Sequence, residues 1–275
     1  MDDFILRAIS EDIGDGDHTS LACIPEHFHG KADLFVKQEG VLAGVAVALC
    51  VFQLIDSHLI YKVFLADGSI IKPGDVVLSL SGSRRSILKA ERLVLNIMQR
   101  MSGIASQTAL YVSQIKGTEA KILDTRKTSP NLRFLEKEAV KIGGGYNHRM
   151  GLFDMIMIKD NHIDFAGGIK NAIHRTLDYL EKTKRDLKIE IEARSLDEVK
   201  TILEVGGIHR IMLDNFTPEE TSQAVKMINR KYETESSGGI TLKTIREYAE
   251  TGVDYISVGA LTHQILSLDM SLKAV

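Results

Sequence analysis

The chain of 275 residues is poor in cysteine and contains no tryptophan. Its two cysteines, Cys23 and Cys50, stand apart without a CxxC spacing. This spacing excludes a zinc-binding cysteine motif and a disulfide-rich secreted domain, and it favours two reduced thiols in a cytosolic protein. The absence of tryptophan decides nothing about function.

A run of apolar residues long enough to cross a bilayer is also missing. The longest run, Val41 to Ile55, is interrupted by Gly44 and Gln53, and it is shorter than the roughly 20 residues that a membrane helix needs. We interpret it as a buried helix. The first residues, MDDFILRAISEDIGDGD, are acidic and amphipathic, unlike a secretory or transit peptide. We therefore expect a soluble, cytoplasmic protein.

Neither sign of charge dominates the chain. The formal net charge is −3, and the lysines and arginines are spread along the sequence instead of gathered into a tail. Nucleic-acid-binding modules normally concentrate positive charge on one face, so the sequence argues against that class. Hydrophobic residues make up 44% of the chain, which is enough for a sizeable core.

Residues 1–103 predict an α+β domain. Short alternating segments at Ala32–Gln38, His58–Leu65 and Val76–Leu80 predict strands that are separated by turn signals. Few helices lie between these segments, so an antiparallel sheet with helices on one face fits best. A long amphipathic pattern from Ile87 to about Lys116 predicts a helix that bridges to the next domain.

Residues 104–261 show a different rhythm, in which short apolar strands alternate with helices. Such a series predicts a parallel sheet. Polar residues follow nearly every strand, and in a (β/α) barrel these carboxyl ends meet at one rim, where such enzymes place their chemistry. An open doubly wound sheet would gather them less evenly, so we favour the barrel. The predicted strands are Lys121–Asp124, Met155–Lys159, Lys188–Ala193, Arg210–Asp214, Tyr232–Ser236 and Tyr255–Val258.

The strand Lys188–Ala193 carries two glutamates on one face. Its period of two places Glu190 and Glu192 together, with isoleucines on the opposite face. Both carboxylates then point into the barrel, where burial is costly unless cations or a metal ion pair with them. We favour a functional site. The structural alternative is an internal salt-bridge network with Lys159 or Arg126.

Cationic and acidic residues converge at the same predicted rim. Several cations in one cleft suit a ligand with several anionic groups, such as phosphates and carboxylates. The carboxylates of Glu192 and Asp214 suit Mg²⁺, which often reaches protein through water. The turn Glu235–Gly239 precedes a helix predicted from Leu242 and resembles a phosphate cradle. The cations are Arg126, Lys127, His148, Arg149 and Lys159.

One long segment resembles a known family. The segment LDTRKTSPNLRFLEKEAVKIGGGYNHRMGLFDMIMIKDNH, Leu123–His162, is similar to the central signature of the quinolinate phosphoribosyltransferases, also called decarboxylating nicotinate-nucleotide pyrophosphorylases. The likeness extends along the whole chain. It includes ERLVLNIMQRMSGIAS (Glu91–Ser106), IMLDNF (Ile211–Phe216), ESSGGI (Glu235–Ile240) and VGALTH (Val258–His263).

The resemblance implies an α/β fold and an enzyme of NAD biosynthesis. The fold would be a (β/α) barrel of about seven strands in residues 104–261, behind an open-faced sandwich in residues 1–103 to which the tail 262–275 returns. Since the pattern above predicts six strands, one strand is not located. The reaction would condense quinolinate with phosphoribosyl pyrophosphate to give nicotinate mononucleotide, pyrophosphate and carbon dioxide.

The resemblance also implies roles for single residues. The family acts as an intimate homodimer, in which Arg92 of one chain completes the site of its partner. The implied catalytic groups are Lys127, Lys159, Glu192 and Asp214. The implied ligands of the quinolinate carboxylates are Arg92, Arg126, His148, Arg149 and Lys159. The implied phosphate contacts are Lys127, Lys159, Ser237, Gly238, Gly239, Val258, Gly259 and Ala260, and Thr125 joins the substrate contacts. Glu192 and Asp214 would also bind ribose hydroxyls and, through water, Mg²⁺.

Three positions depart from the family pattern. Asn131 stands where glycine is expected, and Ser129 stands where threonine is usual. Both changes are mild, since asparagine tolerates a positive φ. Arg194 stands where relatives more often carry an acidic or polar residue. By strand alternation it shares a face with Glu192, so an inward-pointing Arg194 would alter the charge balance of the site.

Three other functions stay open. A nicotinate-specific phosphoribosyltransferase, or the paralogue associated with molybdate transport genes, would share the fold. Arg126 and Arg149 favour a dicarboxylate, because nicotinate would leave one buried cation unpaired. A Schiff-base enzyme would use Lys127 or Lys159 as a nucleophile that borohydride traps. A non-catalytic phosphate-binding protein is disfavoured by the intact set of cations and carboxylates.

Overall fold

The chain folds into two compact units. The computed structural model describes all residues 1–275. Unit 1 comprises Met1–Ala109, Glu138–Gly144 and Ile265–Val275, and unit 2 comprises Leu110–Lys137 and Gly145–Gln264.

Unit 1 is built around an antiparallel sheet with the strand order β12-β1-β5-β3. On β1, Ala32, Leu34 and Val36 are buried and alternate with more exposed residues, so one face of the sheet packs into the core. The C-terminal strand pairs with β1. The strands of this sheet are β1 His29–Val36, β3 Ile60–Val63, β5 Val76–Ser83 and β12 Met270–Ala274, and a separate short pair is formed by β2 Gly40–Val41 and β4 Ile70–Ile71.

The apolar run of unit 1 forms a helix shorter than predicted. This helix begins at Val45, after Gly44 with a φ of 99°, whereas Val41 pairs in β2. The run therefore contains a strand end, a left-handed glycine and then a helix. None of the helices combines the length and low polarity needed to cross a membrane. The helices here are α1 Asp2–Ile13, α2 His18–Cys23, α3 Val45–Ile55 and α4 Arg84–Gln114, the last of which continues into unit 2.

Unit 2 contains the predicted parallel sheet. Six strands pair in the order β6-β11-β10-β9-β8-β7, and every pairing is parallel. A parallel bridge between Leu123 and Tyr146 adds a seventh position beside β6. A single paired residue leaves no alternating pattern, which is why the sequence did not locate it. Closure into a complete barrel stays a prediction. The strands are β6 Lys121–Leu123, β7 Ile156–Ile158, β8 Ile189–Ala193, β9 Arg210–Asp214, β10 Glu233–Ser237 and β11 Tyr255–Ser257.

Helices follow the strands of unit 2 and cover their outer face. Ile189, Ile191 and Ile211 are at most 1% exposed and belong to one core cluster with helix residues such as Ile173 and Ile202. This packing leaves Glu190 and Glu192 on the inner face, as the alternation predicted. The helices are α5 Arg133–Ile142, α6 Asp160–Ala166, α7 Ile169–Thr183, α8 Leu196–Val205, α9 Pro218–Ile228, α10 Ile245–Ala249 and α11 Ala260–His263.

Candidate active site

The carboxyl ends of the parallel strands in unit 2 surround a cavity of about 740 Å³. This volume suits a small-molecule ligand. Two predicted site residues do not line it: Arg92 is exposed on α4 in unit 1, and Val258 is buried behind the rim. The predicted residues that line the cavity are Thr125, Arg126, Lys127, His148, Arg149, Lys159, Glu192, Asp214, Ser237, Gly238, Gly239, Gly259 and Ala260.

Other lining residues were not predicted from the sequence. Met157 and Met212 alternate with outward isoleucines on β7 and β9, so strand alternation would have placed them inside. Tyr111, on the bridging helix, carries no such signal. His263, for which the sequence suggested a structural role, also faces the cavity. The remaining additional lining residues are Asp160, Asn215, Glu235, Ile240, Thr241, Ser257 and Gln264.

Glu192 anchors the acidic side of the cavity. Its Oε1 lies 2.6 Å from Lys159 Nζ, and its Oε2 accepts a hydrogen bond from the Asp160 N–H at 3.2 Å. His162 Nδ1 accepts from the Lys159 N–H at 3.0 Å. His162 therefore has the structural role expected for it, because it fixes the start of α6, where Lys159 projects into the cavity.

Asp214 forms the second carboxylate of the cavity. Burial raises the pKa of Asp214, and the negative charge of Glu192 raises it further. One of its oxygens accepts from Asn215 Nδ2 at 2.7 Å. Two carboxylates that repel each other in a polar cavity suit a hard cation with oxygen ligands, because such a cation offsets the shared negative charge. Glu192 and Asp214 are therefore donors of the kind that Mg²⁺ binds.

Two arginines form the cationic side. Arg149 Nη1 donates to the Met155 carbonyl oxygen at 3.1 Å, which fixes its guanidinium. Burial lowers the pKa of Arg149, and the charge of Arg126 lowers it further. Arg126 Nε is buried and has no hydrogen-bond partner in the protein. Neighbouring guanidinium groups with an unmet donor suit an anion that carries more than one carboxylate.

His148 lies in the cavity wall, but its ring nitrogens face the protein. Nε2 is 3.0 Å from Glu190 and 3.4 Å from Glu235, and Nδ1 accepts from the Arg149 N–H at 2.7 Å. Burial lowers the pKa of His148, but the two glutamates outweigh this effect and raise it to about 9. The Arg149 N–H acts in the opposite direction, because only a neutral ring can accept at Nδ1.

The charge network expected as the structural alternative is present in part: Glu192 pairs with Lys159 as expected, whereas Glu190 has other partners. Glu190 is fully buried and contacts His148 and Arg210 instead of Lys159 or Arg126. Arg210 Nη1 also donates to Glu235 at 2.8 Å. One atom each of His148, Glu190 and Glu235 lies within 4.8 Å of the others, a spacing compatible with a metal ion. Arg210 already supplies the positive charge there.

The glycine-containing turn Ser237–Gly239 forms another part of the cavity wall. Gly238 has a φ of 97°, and a Cβ atom there would lie 2.1 Å from Asn215 Oδ1. The predicted contribution of a helix N-terminus to this turn is wrong. A hydrogen-bonded turn from Thr241 to Thr244 intervenes, so α10 begins at Ile245 and has only five residues. Backbone N–H groups in the turn remain the available anion donors.

Arg194 does not enter the cavity. It follows the end of β8, and its guanidinium pairs with Glu198 at 2.8 Å and Asp164 at 3.4 Å on the surface. The alternation argument for an inward Arg194 is therefore wrong. The strand ends at Ala193, and the N–H of Arg194 donates to Glu198, which turns the chain into α8.

Comparison with known proteins places this geometry in context. The family model for the C-terminal domain of quinolinate phosphoribosyl transferase matches residues 104–273, and the N-terminal domain model matches residues 17–102. A chloroplastic nicotinate-nucleotide pyrophosphorylase [carboxylating] of Oryza sativa subsp. japonica is 46% identical over 97% of this chain and 75% of its own length. Quinolinate phosphoribosyltransferase [decarboxylating] 1b of Nicotiana tabacum is 44% identical over 98% of this chain and 81% of its own length. The crystal structure of NadC from Streptococcus pyogenes has a TM-score of 0.94 and 40% identity, and the match covers 100% of this chain and 96% of that one.

Proposed function

Because the chain belongs to the quinolinate phosphoribosyltransferase family, it condenses quinolinate with phosphoribosyl pyrophosphate, and we propose that the cavity of unit 2 is the active site. The products are nicotinate mononucleotide, pyrophosphate and carbon dioxide. One observation carries the assignment of the site: the cavity combines a cluster of cations with two neighbouring carboxylates. Both substrates are polyanions, and their joining passes through a positively charged sugar carbon.

The two arginines would bind quinolinate. Arg126 and Arg149 can each form two parallel hydrogen bonds with a carboxylate. The unmet Arg126 Nε supports this role. His148 was expected to bind a carboxylate directly, but both of its ring nitrogens already face protein groups. In our proposal His148 holds the Arg149 backbone in place instead.

The remaining groups would bind phosphoribosyl pyrophosphate. Lys127 and Lys159 would neutralise the phosphates, together with the turn Ser237–Gly239 and the Val258–Ala260 backbone. Glu192 and Asp214 would accept hydrogen bonds from the ribose hydroxyls. They would also hold Mg²⁺ through water, and this ion would neutralise the leaving pyrophosphate.

The mechanism then relies on positioning and electrostatics. The pyridine nitrogen attacks C1 of the ribose while the bond to pyrophosphate breaks, and the lysines stabilise the leaving group. Glu192 and Asp214 stabilise the positive charge that develops at C1. The quaternised ring nitrogen then stabilises the electron pair left on the ring carbon when the adjacent carboxylate departs as carbon dioxide, and that carbon takes up a proton. The alternative of a Schiff-base mechanism at Lys159 is disfavoured. A Schiff-base nucleophile needs a free amine, whereas Lys159 forms a short ion pair with Glu192.

We propose a homodimer in which Arg92 of the partner subunit completes the cavity. Arg92 is exposed on α4 and is not among the residues that line the cavity of its own chain, which supports this assignment. We also propose a cytoplasmic location, which the two unpaired cysteines support. Fractionation of cells that express a tagged chain tests the location.

The activity is tested by mixing purified protein with phosphoribosyl pyrophosphate, Mg²⁺ and either quinolinate or nicotinate. We expect nicotinate mononucleotide and carbon dioxide from quinolinate only, and none without Mg²⁺. Turnover of nicotinate alone would contradict the substrate assignment while leaving the phosphoribosyl chemistry intact. Silence with both substrates would contradict the whole proposal.

A further inference from the structure

Two buried side chains of opposite charge, Asp124 and Lys137, lie behind the cavity wall and do not line it. Asp124 directly follows β6 and is 0% exposed, and Lys137 on α5 is 1% exposed. Their charged groups form an ion pair. Taking two charges out of water is costly, so a buried ion pair is weak evidence for stability. Its contacts point to another role.

The ion pair holds the turn that carries His148 and Arg149. Asp124 Oδ1 accepts a hydrogen bond from the His148 N–H at 2.8 Å, and Lys137 Nζ donates to the His148 carbonyl oxygen at 3.0 Å. Asn147 Nδ2 donates to Asp124 Oδ2 and, at 2.9 Å, to the Lys137 carbonyl oxygen. Both polar backbone groups of His148 are therefore fixed immediately before Arg149.

The same ion pair is joined to the segment that carries Arg126. Asp124 precedes Thr125–Lys127, which line the cavity, and its own N–H donates to the Tyr146 carbonyl oxygen at 3.1 Å. The two arginine-bearing segments are thus connected through one buried carboxylate. Burial is the main cause of the lowered pKa of Arg149, and the charge of Arg126 lowers that pKa further. The second effect shows that the two guanidinium groups repel each other. A restraint is therefore needed to keep them close before an anion binds.

We propose that Asp124 and Lys137 form a positioning pair, which sets the spacing of Arg126 and Arg149 and so selects a ligand with two adjacent carboxylates over one with a single carboxylate. The inference rests on the proposed function, which assigns these arginines to quinolinate. Neither member of the pair touches the ligand. Its effect passes through the backbone of the two segments that carry Arg126 and Arg149.

The test compares the binding of quinolinate with that of nicotinate, measured by calorimetry without turnover. The variant combines Asp124→Leu with Lys137→Met, because replacing both partners by apolar residues leaves no single charge buried and is often neutral for stability. We expect the preference for quinolinate, the ratio of the two dissociation constants, to fall about tenfold. A loss of this size corresponds to one misaligned hydrogen bond to a charged group. The unfolding midpoint is expected to stay near that of the wild type. An unchanged preference would show that the pair is only structural.

Two further variants keep the test decisive. Asp254→Ala removes the acceptor of the Thr234 hydroxyl, 2.7 Å away at the amino ends of β10 and β11, and it should lower stability without changing the preference. A preference that falls equally in Asp254→Ala would overturn the proposal. If the double variant does not fold, Asn147→Ala removes one donor to Asp124 and leaves the ion pair. A smaller fall in preference is expected there, and an unchanged preference would again overturn the proposal. A wild-type protein that does not prefer quinolinate would instead contradict the proposed function.

Discussion

Lys159 and Glu192 form an ion pair in the cavity wall, at the carboxyl ends of the neighbouring strands β7 and β8, with 2.6 Å between Nζ and Oε1. Lys159 is 44% exposed, so water and salt reach it, whereas Glu192 is almost fully buried. Because solvent screens the charge of the half-exposed Lys159, the pair contributes only modestly to folding. In the proposed mechanism its consequence lies in binding, since the phosphates would compete with Glu192 for Lys159, and Mg²⁺ would compete with Lys159 for Glu192.

Replacing the carboxylate should therefore affect catalysis more than folding. Glu192→Gln keeps the shape but removes the charge that, in our proposal, stabilises the developing cation and attracts Mg²⁺. We expect kcat to fall on the order of 100-fold and the Mg²⁺ concentration for half-maximal rate to rise, with little change in the unfolding midpoint. Steady-state kinetics at several Mg²⁺ concentrations measures both. Glu198→Gln, which breaks the surface pair with Arg194, serves as the control. An unaltered kcat would remove Glu192 from the mechanism.

The turn at Gly238 offers a matched pair of substitutions. A Cβ at Gly238 would collide with Asn215, whereas a Cβ at Gly239 would meet nothing within 4 Å, although both glycines have positive φ. We expect Gly238→Ala to raise the KM for phosphoribosyl pyrophosphate about tenfold or more, because the turn must move. Gly239→Ala should cost only the left-handed strain of about 1–2 kcal/mol in stability. Equal kinetic effects of the two substitutions would argue against close backbone approach to the phosphates.

The sequence predicted the strands of unit 2 well because most of them carry a short apolar run, although β10 is polar. Strand alternation correctly placed Glu190 and Glu192 inside. Alternation failed at Arg194, since it assumes that the strand continues. The bridge at Tyr146 was missed because a single paired residue has no period. The partners of His148 were also missed. They are Glu190 and Glu235, which come from the two strands β8 and β10, and no spacing in the sequence reports which of the inward charges meet.

The assignment of Arg126 is tested by a change that keeps its charge. Arg126→Lys retains a cation but loses the planar fork that binds a carboxylate through two hydrogen bonds. We expect the KM for quinolinate to rise roughly 10- to 100-fold, while the KM for phosphoribosyl pyrophosphate changes by less than about threefold. Initial rates with each substrate varied in turn separate the two values. Arg175→Lys, on the exposed face of α7, is the control. A larger rise for phosphoribosyl pyrophosphate would move Arg126 to the phosphate subsite.

The environment of His148 predicts a dependence of stability on pH. The groups that face its ring are Glu190, Glu235 and, through them, Arg210, and the glutamates raise the pKa of His148 from 6.5 to about 9. A raised pKa means that the folded state binds the proton more tightly than the unfolded state. The resulting stability is full below about pH 6.5 and is lost as the pH rises towards about 9.

Denaturant unfolding across this range measures the effect. The free energy of unfolding should decline from pH 6.5 to about 9 in the wild type, and His148→Gln should flatten that decline. Should the hydrogen bond from the Arg149 N–H keep the ring neutral, the wild type and His148→Gln would show the same slope. That result would show that the proton shared in this cluster is bound by Glu190 or Glu235 and not by His148.

The proposed homodimer with a shared site is tested by mixing two variants, each of which is expected to have low activity. Arg92→Ala would damage the cavity of the partner, and Glu192→Gln would damage the cavity of its own chain. In a heterodimer of the two, one cavity receives both defects and the other receives neither. Random exchange makes half of the dimers heterodimers, so activity should recover to about a quarter of the wild-type value, since the closed two-fold symmetry gives each dimer two sites. Unfolding and refolding the mixture together allows the exchange, and separate refolding of each variant is the control. If Arg92 acted within its own chain, each of the two cavities in a heterodimer would carry one of the two defects. Mixing would then restore no activity.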